Sequence, residues 1–120
     1  MNSKEGSAVL DLEYLMEDAG EALRLDSKTD VEMVAKQAVW AGLEPGMSVA
    51  DVCCGPGKTT WALSRIVSPS GSVTGIDGSP GRLDYARRNY AGHGIDFVCA
   101  DITKPLHHLG LFDFVWVRFV

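Results

Sequence analysis

The sequence predicts an α/β protein built on a doubly wound parallel sheet. Short apolar stretches alternate with segments of helical periodicity from residue 47 onward. Asp51, Asp77 and Asp101 accompany three successive apolar stretches, and the last stretch, 112 to 120, is almost continuously apolar. Strands that alternate with helices form βαβ units, and βαβ units give parallel sheets with helices on their faces.

Taken in order, residues 7 to 25 carry Ala8, Leu12, Leu15, Met16, Ala19 and Leu23 near helical spacing, with Gly20 weakening the middle. Thr29 followed by Glu32 is a capping-box pattern, and Val31, Val34, Ala35, Ala38 and Val39 mark one face of a helix ending near Gly42. Pro45-Gly46 breaks the chain before a strand over 47 to 53. A helix over 58 to 67, a turn at Pro69-Ser70-Gly71 and a strand over 72 to 77 follow. Ser79-Pro80 supplies a hydroxyl cap and a proline at the first helical position. That helix runs to about Tyr90 and stops at Gly92 and Gly94, before a third strand over 95 to 101. The fourth strand, 112 to 120, reads as covered on both faces in the middle of a sheet. The chain ends inside it, so the fold is expected to be truncated after strand four. The division expected is a helical segment over 1–41 and a sheet unit over 42–120.

Composition narrows the function. Hydrophobic residues make up 46% and charged residues 22%, in the range of a globular domain. A formal net charge of −5 and scattered basic residues weigh against nucleic acid, whose binders present a basic stripe. There is no run of about 18 apolar residues, so no membrane span is expected. The N-terminal segment lacks the basic-then-apolar order of a secretory signal. Cys53, Cys54 and Cys99 form no disulfide framework or metal pair, which fits reduced thiols and a cytoplasmic setting. His93, His107 and His108 lack ligand spacing and read as solvent-facing, with no metal expected. Trp61 and Tyr85 read as core packing.

The chemistry concentrates in Asp51-Val52-Cys53-Cys54-Gly55-Pro56-Gly57-Lys58-Thr59-Thr60, an apolar strand turning into a helix. Gly55 and Gly57 lack a Cβ, so a ligand can approach their backbone, and the helix start offers unpaired N–H groups to a carboxylate or phosphate. Gly57-Lys58-Thr59 invites a phosphate-loop reading, but that motif needs glycine where Val52 stands. The dinucleotide fingerprint fits Gly55 and Gly57, while its third glycine falls on Thr60. Asp77 stands 20 residues after Gly57 (77 − 57) at the end of the second strand, where a carboxylate can accept both ribose hydroxyls of either nucleoside cofactor.

Asp51 through Gly57 resembles the first motif of class I S-adenosylmethionine-dependent methyltransferases, with Cys53 standing where that family most often has glycine. The resemblance extends over roughly residues 30 to 120. It implies a Rossmann-like fold with strand order 3-2-1-4 and S-adenosyl-L-methionine as cofactor. It also implies methyl transfer to a small-molecule acceptor at oxygen, nitrogen or carbon. The cofactor contacts it implies are Asp51, Cys53, Gly55, Gly57, Asp77, Gly78, Asp101, Ile102 and Arg118. Gly55 and Gly57 admit the methionine moiety, the Asp51 region holds its amino group and Asp77 holds ribose. Asp101 with the Ile102 backbone holds adenine, and Arg118 stands where cofactor and acceptor meet. No catalytic base is assignable. Two alternatives stay open: a nicotinamide-dinucleotide domain, and a binding module without catalysis. A homo-oligomer is expected through the open edge of strand four, since an unpaired apolar strand is a template for another chain.

Overall fold

A computed structural model describes residues 20–118. The helical periodicity read over 7 to 19 and the last two residues of the expected fourth strand lie outside them. Helix α1 covers 20–28 within the described range. Next come α2 (Val31–Trp40), β1 (Ser48–Val52), α3 (Lys58–Val67) and β2 (Ser72–Asp77). The order continues with α4 (Pro80–Asn89), β3 (Ile95–Cys99), a 3-10 turn at His107–Leu109, and β4 (Phe114–Val117).

The four strands form one parallel sheet in the order β3-β2-β1-β4, as expected. The register aligns Val52 with Ile76 and with Val117, and Asp77 with Cys99. The carboxyl ends of all four strands therefore reach one edge. In open α/β sheets, ligands bind in the crevice outside that edge.

Alternation along each strand decides which side chains meet the core shared with the helices, and the central strand β1 is buried through Val49, Ala50 and Asp51 in succession. Val49 and Val73 project into one apolar cluster with Ala62, Leu63 and Val67 of α3, Val34 and Ala38 of α2, and Leu43. Thus α2 and α3 share a core with the sheet. Helix α4 reaches the same face, because Ala86 and the Phe97 ring both lie against Gly57 at the head of α3. Phe114 and Trp116 of β4 pack on this cluster, with their rings stacked at 6.5 Å. Val115 and Val117 project to the other face and remain 59% and 50% exposed. The apolar run is thus half covered among the described residues, not covered on both faces. Its lack of polar alternation hid which face was open. Among the described residues, no helix is long and apolar enough to cross a membrane.

The cap of α2 also differs from the sequence reading. Asp30, one residue later than Thr29, accepts the Met33 N–H at 3.2 Å. Thr29 instead donates its hydroxyl to the Leu25 carbonyl at 2.8 Å, closing α1. Two capping residues stand side by side because two helix ends meet there, and each serves one. The first and third strands end one and two residues earlier than read, at Val52 and Cys99. Cys53 leaves extended geometry with φ +60°. Asp101 folds back on Thr103 through its side chain.

Candidate cofactor site

The strand ends open into a cavity of about 870 Å³, within the range of small-molecule sites. Asp51, Cys53, Gly55, Asp77, Gly78, Asp101, Ile102 and Arg118, all singled out from the sequence, line it. Gly57 does not.

The glycine-rich turn explains the difference between its two glycines. Gly55 has φ +58°, and a Cβ built there would meet nothing within 4 Å. Its missing side chain leaves open space at the cavity wall, a cradle that any other residue would fill. Gly57 has φ +94°, but a Cβ there would come within 2.7 Å of Ala86 Cβ and 3.0 Å of the Phe97 ring. Its missing side chain lets α3 seat against α4 and β3. Cys53, where the motif most often has glycine, takes φ +60° without being glycine. A left-handed residue bearing a Cβ costs about 1–2 kcal/mol. The family's preference for glycine at this position thus has a backbone cause, and here the chain tolerates a thiol instead.

Gly57 caps α3 without a side-chain hydrogen bond, and Lys58 and Thr59, the first residues of that helix, line the cavity. Lys58 does not serve as a phosphate-loop lysine. Its ammonium donates to the Asp26 carbonyl near the end of α1 at 3.2 Å. There it is a second donor to a carbonyl that also accepts the Thr29 N–H at 3.2 Å. The Tyr90 hydroxyl donates to the Asp26 carboxylate, so α1 is tied down from α3 and α4 together. This fixes Glu21, Leu25 and Thr29 as part of the cavity wall. Sequence reading missed Glu21 and Leu25 and took Thr29 only as a helix cap, since amphipathic spacing reports burial and not what the helix faces.

The three aspartates differ. Asp77 is buried, and its two oxygens accept the Gly55 N–H and the Ser79 N–H, each at 2.9 Å. It therefore holds the turn and the start of α4 while its remaining lone pairs border the cavity. Asp51 is 1% exposed and accepts the Thr60 hydroxyl at 2.7 Å. Burial pushes its carboxyl up to about 7, against the pull of the Thr60 hydrogen bond and with a further push from Asp77. Asp101 is exposed, and hydrogen bonds from the Thr103 hydroxyl and N–H hold its carboxyl below the usual range.

Cys54, Cys99, Arg82 and Trp116 also line the cavity and escaped the sequence reading. Cys99 pairs with Asp77 and Trp116 with Asp51, so lateral neighbours of the two strand-end aspartates were the available signal. Burial pushes the thiols of Cys53 and Cys54 up, which keeps them protonated. His93, His107 and His108 are exposed. Trp61 packs on the core with Arg65 over its ring at 4.9 Å, and Tyr85 is half-buried in α4.

Comparison with known proteins places the family and the fold. Demethylmenaquinone methyltransferase of Staphylococcus aureus (strain JH9) is 37% identical over 79 residues, covering 65% of this chain and 33% of the relative. The chain thus spans about a third of the length of the curated relatives it matches. A SAM-dependent methyltransferase from Aquifex aeolicus superposes with a TM-score of 0.65 at 25% identity, over 82% of this chain and 55% of that one. A TehB-like SAM-dependent methyltransferase from Corynebacterium glutamicum shares the fold, with a TM-score of 0.69 at 21% identity over 87% and 55% of the two chains. The sequence pattern described as "Methyltransferase domain" matches residues 49–120, more than half of the chain, and the protein belongs to that methyltransferase domain family.

Proposed function

We propose that residues 42–120 bind S-adenosylmethionine and that the protein they belong to transfers its methyl group to a small-molecule acceptor. The observation that carries this reading is Asp51. It is a carboxylate buried at the cavity wall whose single hydrogen-bond partner among the described residues, Thr60, occupies one oxygen. Such a group favours a cationic partner, and the cofactor's amino group is one. The open cradle at Gly55 and the uncapped start of α3 suit the methionine chain and its carboxylate. Asp77 has lone pairs left for the ribose hydroxyls, and Asp101 with Ile102 stands two to three residues beyond the end of β3 for adenine. Arg118 lines the cavity just beyond β4, and in this reading it neighbours the acceptor.

The cofactor brings a methyl group already activated on a sulfonium sulfur. This chain's residues therefore act by holding and orienting, which contributes on the order of 7 kcal/mol or more toward a displacement barrier. The similarity to the demethylmenaquinone methyltransferase named above supports a small organic acceptor for the whole protein.

Calorimetric titration of the chain with S-adenosylhomocysteine and with NAD tests the reading. S-adenosylhomocysteine is expected to bind more tightly, because its amino group meets Asp51 and NAD has no counterpart for it. Tighter binding of NAD would assign the cavity to a dinucleotide.

A further inference from the structure

Thr60 occupies the place where the dinucleotide fingerprint has its third glycine, a residue that lets the helix approach the strand. Here the close approach is made from the strand side. Gly75 of β2 faces Thr60, and a Cβ on Gly75 would lie 2.9 Å from the Thr60 hydroxyl and 2.8 Å from the Phe97 ring. The glycine has in effect moved from α3 to β2, and the space it leaves is filled by a hydroxyl. That hydroxyl is fully buried and donates to one oxygen of Asp51 at 2.7 Å. The carboxylate is the innermost acid of the cavity wall and takes no other hydrogen bond among the described residues.

We propose that Thr60, seated against Gly75, is a positioning residue for ligand binding: its hydroxyl fixes one oxygen of Asp51 so that the other meets the ligand's cationic amino group. The proposal rests on the cofactor reading above. Thr60 itself touches no ligand and acts through Asp51.

The charges around Asp51 set the sign of the pH dependence. Asp77 faces it from β2, and the thiols of Cys53 and Cys54 face it from the turn. The cavity's cations are Lys58 of α3, Arg82 of α4 and Arg118 beyond β4. In the ligand-free chain the folded Asp51 holds its proton up to about 7, above its unfolded value. Its contribution to stability is therefore present at low pH and is lost as pH rises through about 7. An ammonium ligand needs the carboxylate form, so its affinity rises over the same interval.

The test uses the whole chain, its Thr60→Val and Thr60→Ser variants, and two probes. S-adenosylhomocysteine carries the amino group, while 5′-methylthioadenosine carries the nucleoside without it. In the unaltered chain, S-adenosylhomocysteine affinity should rise with pH and level off above about 7. Thr60→Val should move that midpoint up by about one pH unit and weaken binding near neutrality about five- to tenfold. Methylthioadenosine binding should not change, and Thr60→Ser should behave as the unaltered chain does. If Thr60→Val fails to fold, Thr60→Ala removes the hydroxyl without adding volume and carries the same expectation. A Thr60→Val chain with an unmoved midpoint, or with equal losses for both probes, overturns the proposal. If neither probe binds the unaltered chain, the cofactor reading is what has failed. The ¹³C carboxyl titration of Asp51 in ligand-free protein then decides Thr60's hold on it, and a midpoint that Thr60→Val leaves in place overturns that too.

Discussion

Replacing Asp77 with alanine is expected to weaken S-adenosylhomocysteine binding by about 10- to 100-fold or more and to loosen the glycine-rich turn. The size follows from how many donors share this carboxylate. The Gly55 and Ser79 N–H groups each reach it at 2.9 Å, and both bonds are buried. A hydrogen bond to a charged group contributes about 1.5–3 kcal/mol, and alanine offers no acceptor to either donor or to ribose. The loss therefore has two parts, separable by measurement. Urea unfolding reports the turn, and calorimetry on the folded variant reports the ligand. Asp101→Ala is the comparison, expected to cost less in both, because Asp101 is exposed and its bonds go to neighbouring Thr103. An Asp77→Ala chain that folds and binds like the unaltered one would misplace the ribose.

Gly57→Ala is expected to destabilise the fold by about 3 kcal/mol, combining left-handed strain with overpacking. The added Cβ has no room, with Ala86 at 2.7 Å and Phe97 at 3.0 Å, and α3 cannot retreat without pulling Thr60 from Asp51. Gly42→Ala isolates the strain. Gly42 has φ +109° with nothing within 4 Å of the added carbon, so about 1–2 kcal/mol is expected there. Midpoints of chemical denaturation measure both. Equal losses at the two positions would mean that Gly57 serves its backbone angle alone and that the contact with α4 is soft.

These positions show what could be read from residues alone. The parallel sheet and its crevice followed from the alternation of strands and helices, while the strand order came from the family resemblance of Asp51 through Gly57. Asp51, Asp77 and Asp101 could be placed at one edge because strand ends in a parallel sheet share it. The division of labour between Gly55 and Gly57 was not legible. Both satisfy the same turn pattern, and only the three-dimensional neighbourhood shows that one borders space and the other Ala86 and Phe97. Thr60 read as a departure from a fingerprint, since its compensating glycine, Gly75, lies 15 residues away (75 − 60) on another element. Lys58 looked like a phosphate ligand by its neighbours, yet its partner is a carbonyl 32 residues earlier. Local pattern reports backbone conformation well, but it carries little about which element will arrive opposite a side chain.

The central claim is that the strand-end cavity is where this chain holds S-adenosylmethionine, and amide chemical-shift mapping tests it most directly. On titration of the ¹⁵N-labelled chain with S-adenosylhomocysteine, the account predicts saturable shifts centred on Cys54, Gly55, Lys58, Thr59, Gly78, Asp101 and Ile102. The 3-10 turn at His107–Leu109 and the exposed side of α2 around Met33 and Trp40 should stay unchanged. Saturable shifts confined to that outer surface, or a glycine-rich turn left unmoved at saturation, would contradict it.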